Sequence, residues 1–255
     1  MMKNIALFFL LFASGHSFAQ TIKTVAPDGS GDYKTIQAAF DAVPRNNKKP
    51  ITILLAAGLY KEKLLLDSTK DFVSLVGADK FNTTVTYDDH TGKLSPKGDT
   101  INTRTSWSFK VLANNFTASN ISFRNDAGFS AGQAVAVESD GDKASFINCR
   151  FLGFQDVLFV NNGRQYFQQC YIEGTTDFIF GSATAWFQQC HIHSKKNSHI
   201  TAASTPKENK YGYVFNDCII TGDTSLHNVS LGRPWRPYAS VTYMHCFIGQ
   251  HIRAE

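Results

Sequence analysis

An all-β fold, a right-handed parallel β-helix (a solenoid) with a short N-terminal capping helix, is the architecture this sequence predicts, and three observations predict it. Cysteines recur at one register, in Asn148-Cys149-Arg150-Phe151, Gln169-Cys170-Tyr171-Ile172, Gln189-Cys190-His191-Ile192, Asp217-Cys218-Ile219-Ile220 and His245-Cys246-Phe247-Ile248; Asn120-Ile121-Ser122-Phe123 is an earlier copy without the thiol. Polar and apolar residues alternate with period two around each copy, which is the pattern of a strand. Units of roughly 20 to 30 residues built from such strands and polar turns leave no room for a helix in each copy, so the repeat is a coil of strands.

The repeat also carries the chemistry. Asp156 and Asp177 lie 177 − 156 = 21 residues apart, the same spacing as Cys149 and Cys170, 170 − 149 = 21, so the two aspartates occupy equivalent positions of successive copies. Neighbouring parallel strands are about 4.8 Å apart, which makes the two carboxylates neighbours in space. Carboxylates held that close cannot both ionise freely, so one is pushed toward its protonated form while the other stays charged. Taken singly, each Asp is as well explained as a solvated turn residue; the matched register favours the pair.

From its start, the chain shows Lys3, an apolar run from Ile5 to Ala13 and the small-residue site Ser17-Phe18-Ala19. These read as a secretory signal over residues 1–19, with a mature β-helix domain over 20–255 that is secreted or periplasmic. No later stretch reaches the length of a transmembrane helix, so no membrane partner is expected. With 255 residues and 43% hydrophobic content the chain can bury one core. A formal net charge of +4 is mild, suits a polyanionic substrate, and comes without the basic tract that nucleic acid would require.

Five cysteines in an exported chain ordinarily suggest disulfides. Their common register favours an inward-pointing column of small buried thiols, although pairing between adjacent rungs lies within disulfide reach. Thr35 is placed to cap a helix running to about Val43, whose face of Ile36, Ala39, Phe40 and Val43 would cover the open end of the solenoid before Pro44 stops it. Strands are expected at 52–55, 63–66 and 72–76, and a long polar loop at 88–104 that lines the binding groove. His191 and His193, two apart, read as strand residues of one face and not as ligands. No metal or organic cofactor is called for.

Five motifs in order carry a family resemblance: Gly58-Leu59-Tyr60-Lys61-Glu62, Gln133-Ala134-Val135-Ala136, Gly153-Phe154-Gln155-Asp156, Asp177-Phe178-Ile179-Phe180-Gly181 and Leu231-Gly232-Arg233-Pro234-Trp235. From about Val25 onward the sequence resembles the pectin methylesterases (pectinesterases). The resemblance implies hydrolysis of galacturonate methyl esters in pectin (methylated homogalacturonan), by a monomer. It assigns the nucleophile to Asp177, the general acid and base to Asp156, oxyanion donors to Gln155 and Gln133, and a forked cation on Asp177 to Arg233. Trp235, Thr103 and Phe178 are the substrate-binding residues it implies, while Tyr60 and Glu62 read as structural.

Val157, Phe159 and Thr176 stand where the family usually has Thr, Tyr and Val. Family members also continue beyond the Leu-Gly-Arg-Pro-Trp motif, so the chain is expected to lack the C-terminal part of the family domain. Two rivals stay beside the esterase: a related acyl-thioesterase, and a noncatalytic polysaccharide-binding solenoid. A pectate lyase or polygalacturonase shares the architecture, but its acidic cluster or extra carboxylates are missing from these motifs.

Overall fold

The computed structural model describes residues 21–254; the segment read as a signal, residues 1–19, lies outside them. Its strands form three parallel sheets of nine, seven and eight strands, each adding a strand per turn of a right-handed β-helix. One turn runs through Ala144–Ile147 in the first sheet and Arg150–Leu152 in the eight-stranded sheet to Leu158–Val160 in the seven-stranded sheet, and the next begins at Arg164–Gln168. Registers are continuous between turns: Phe146 pairs with Phe167, Phe151 with Ile172 and Leu158 with Ile179.

The corner before each cysteine explains the sequence repeat. Asn120, Asn148, Gln169, Gln189, Asp217 and His245 all take positive φ, between 52° and 57°. One left-handed residue bends the strand sharply, and short polar side chains tolerate that conformation best. The residue that follows is turned inward, so Cys149, Cys170, Cys190 and Cys218 are buried in a column and Cys246 half-buried. All five are free thiols, which resolves the choice between stacking and disulfide pairing. Burial pushes the Cys149 thiol far up, out of the range in which a thiolate forms.

Within the coil, residues at one register stack as a column of rings. Phe146–Phe167, Phe167–Phe187, Phe187–Phe215 and Phe215–Tyr243 are all near-parallel, with centroids 5.1, 4.7, 4.4 and 4.7 Å apart. Those spacings are the rise of the solenoid itself, so each ring covers the one before it.

The capping helix is Ile36–Asp41, shorter than expected because Ala42 already closes it, with Val43 still buried beyond the last turn. Thr35 caps its start through Ala38 N–H, and the Glu62 carboxylate accepts from the N–H groups of Ile36 and Gln37 at 2.9 and 3.1 Å. The Tyr60 hydroxyl donates toward the carbonyls of Val25 and Ala56, so both residues of the first motif tie the helix end of the column together. Replacing Glu62 by alanine is expected to cost about 1–2 kcal/mol. Urea unfolding should show a lower midpoint with an unchanged slope.

Candidate active site

The aspartates sit at a second kind of corner, between the eight-stranded and seven-stranded sheets. Asp156 and Asp177 take φ of +63° and +50°, each two residues before the strands Leu158–Val160 and Ile179–Gly181, which pair directly. Their backbones are pinned by the next turn: Asp156 N–H donates to Thr176 O at 3.1 Å and Asp177 N–H to His199 O at 2.8 Å. Gly181 closes the motif at φ +122°, where a Cβ would fall 2.1 Å from the Val160 carbonyl oxygen. Only glycine lets the two turns approach there.

Both carboxylates are buried, Asp156 at 8% and Asp177 at 5% exposure. Burial, and then the Asp177 carboxylate beside it, push the Asp156 carboxyl up to about 8 against the pull of Arg233. Arg233, on the strand Ser230–Pro234 two turns further on, forks onto Asp177 with Nε 3.0 Å from Oδ1 and Nη2 2.5 Å from Oδ2. The planar guanidinium fixes the rotamer of Asp177. Asp156 makes no side-chain hydrogen bond among the described residues, so a proton on it is free to leave.

These groups open onto a cavity of about 360 Å³. Gln133 and Gln155 line it side by side, since their backbones form an isolated parallel bridge, and Trp235 and Thr103 form part of its wall. The structure therefore brings together Asp156, Asp177, Gln133, Gln155, Arg233, Trp235 and Thr103. Phe178 does not join them. It follows a left-handed Asp as the cysteines follow their corner residues, points into the core and is fully buried, which corrects the expectation that it binds substrate.

The aromatic floor of the cavity is instead Phe159 and Phe180, stacked with centroids 4.3 Å apart, with Trp235 edge-on to Phe180 at 6.0 Å. Each Phe stands three residues after its Asp, so the 21-residue spacing that linked the aspartates also linked these rings. Asn102, Arg104 and Ala202 complete the lining, with the Arg104 guanidinium 5.2 Å from the centre of Phe159. Asn102 and Arg104 come from the polar loop at 88–104 that was expected to line the groove, although no period singled them out within it. His191 and His193 lie on the strand His191–Ser194, where both rings share the Thr221 hydroxyl and His193 also meets Asp223.

Fold and cavity together define a parallel β-helix protein whose site is assembled across successive turns of one sheet. The pectinesterase family model matches residues 22–255, and the chain belongs to that family. It is similar to pectinesterase 31 of Arabidopsis thaliana, 39% identical over 234 residues, which span 90% of this chain and 74% of that protein. Among solved structures, the pectin methylesterase from carrot superposes with a TM-score of 0.84 at 32% identity, covering 94% of this chain and 77% of that one. A pectin methylesterase in complex with a hexasaccharide superposes with a TM-score of 0.85 at 27% identity, covering 91% and 80% of the two chains.

Proposed function

We propose that this chain is a pectin methylesterase, hydrolysing the methyl esters of galacturonate units to carboxylate and methanol. The observation that carries the reading is the carboxylate pair: two buried aspartates at equivalent positions of adjacent turns, one held toward its protonated form and the other forked by a guanidinium. That asymmetry divides the roles. An Asp177 carboxylate oxygen attacks the ester carbonyl carbon, and the carbonyl oxygen becomes an oxyanion that accepts from the side-chain amides of Gln133 and Gln155. Collapse of this intermediate breaks the bond to the methoxy oxygen, which takes the proton of Asp156 and leaves as methanol.

An anhydride between Asp177 and the galacturonate remains. Asp156, now a carboxylate, removes a proton from water as the water oxygen attacks the galacturonyl carbon, and Asp177 departs with its electron pair. Asp156 is then protonated again, and the cycle closes without a metal or organic cofactor. Trp235 and Thr103 on the cavity wall would hold the sugar, with Phe159 and Phe180 beneath it. The same reading includes export directed by residues 1–19, a secreted or periplasmic location and a monomeric enzyme.

The test is methanol release from highly methylated pectin by the purified protein. A folded protein that binds pectin but frees no methanol would overturn the esterase reading in favour of a polysaccharide-binding solenoid, and release from acyl thioesters alone would point to a thioesterase. If the amides are the oxyanion donors, Gln155→Ala and Gln133→Ala should each lower kcat about 10²–10³-fold with little change in KM.

A further inference from the structure

A second concave site lies on another corner of the solenoid, between the nine-stranded and eight-stranded sheets, and shares no residue with the catalytic cavity. Its volume is about 350 Å³. Arg150 and Tyr171 stand on successive turns of the eight-stranded sheet, and Phe81 closes the site from the loop before Thr83–Tyr87. Phe81 is 68% exposed, a ring presented to solvent instead of to the core.

The cations around that ring are unneutralised. The Arg150 guanidinium carbon is 5.1 Å from the centre of Phe81 and 5.8 Å from that of Tyr171, and Lys80 Nζ is 5.5 Å from Phe81. Lys80 donates to Asn148 Oδ1 at 2.6 Å, and Arg150 Nη1 is 3.5 Å from Ser122 Oγ. Neither cation is paired with a carboxylate among the described residues. An exposed aromatic ring with two cations over it and no carboxylate paired to either, in a concavity, matches a sugar that bears carboxylates: the sugar packs against the exposed part of Phe81, and one carboxylate meets the Arg150 fork.

We propose that this corner is an ancillary binding site for unesterified galacturonan, tethering the protein to stretches of polymer that already carry free carboxylates. The identity of the saccharide rests on the esterase reading above, whose product is such a polymer; the site itself does not. Tethering raises the local concentration of methylated segments at the cavity without touching the chemistry.

Titration calorimetry of the full chain with unesterified oligogalacturonate tests it, comparing wild type with Phe81→Ala and Arg150→Gln. Two binding events are expected in wild type and one in either variant, with thermal midpoints unchanged because neither side chain is part of the core. Kinetics should follow: KM on long, partly demethylated pectin rises about 5–10-fold in the variants, while kcat and turnover of short methylated oligogalacturonates stay as in wild type. Unchanged stoichiometry in both variants would overturn the proposal, as would equal affinity for polyglutamate of similar length, which would reduce the site to a charge patch. Calorimetry needs no turnover, so a wild type that frees no methanol would sink the esterase reading while leaving this site to its own result.

Discussion

Replacement of Asp177 by asparagine is expected to lower methanol release at least about 10⁴-fold while the column stays folded. An amide in that position has no charged oxygen to attack the ester and cannot form the anhydride, so no alternative route through the same site exists. The fold should survive for three reasons. Asparagine matches the shape of aspartate, it tolerates the left-handed φ of +50° at this corner, and the Arg233 side chain that loses its partner is 54% exposed and remains hydrated. Circular dichroism and the thermal midpoint should therefore change little. Substantial residual turnover from a folded Asp177→Asn protein would remove Asp177 from the nucleophile's role.

Asp156→Asn should show two linked effects. Turnover falls about 10²–10⁴-fold, because the leaving methoxide has no acid and the later water no base. In wild type, kcat/KM should decline as pH rises through about 8, the value to which burial and Asp177 push this carboxyl; in the variant that limb is absent.

Stability moves the other way. Between the ordinary carboxylate value near 4 and about 8 the folded state holds a proton that the unfolded chain releases, so wild type loses stability progressively across that window. The penalty is absent below it and complete above it. The asparagine side chain carries no such proton, so the variant's advantage in thermal midpoint should be small at pH 4, grow to pH 8 and then level off. A pH-independent difference would show that Asp156 titrates as an ordinary surface carboxylate.

The periodic parts of this protein were readable because a solenoid repeats its geometry. Units of roughly 20 to 30 residues located the corners and the cysteine column, and a shared spacing of 21 located the aspartate pair, since each turn must return to the same register on the one beneath. The same spacing contained two further facts that were not drawn from it. Phe178 follows Asp177 as Cys149 follows Asn148 and Val157 follows Asp156, and in each case the residue after a left-handed corner is turned inward. Phe159 and Phe180, three residues past their aspartates, come back out onto the cavity floor.

What periodicity could not reach was the aperiodic wall. Arg104 and Asn102 owe their positions to a short turn at Thr103–Thr105, which Asn102 caps through the N–H of Arg104, and a turn of that kind leaves no long-range mark on the sequence. The cation-lined corner at Phe81 was hidden for a similar reason. Arg150 and Tyr171 stand at one register of the cysteine repeat, but Lys80 and Phe81, which complete the corner, come from a loop outside it.

The distance along the chain between Asp177 and Arg233 bears on how the molecule is made. The two aspartates meet as soon as the strands Leu158–Val160 and Ile179–Gly181 pair, yet the guanidinium arrives only with Ser230–Pro234, two strands later in the same sheet. A column that grows turn by turn thus passes through a stage in which two carboxylates face each other in a dry corner with no cation between them. Arg233 relieves that repulsion on docking, so the strand Ser230–Pro234 is drawn onto the stack by the residues it will serve, before the coil winds on through Val241–Met244.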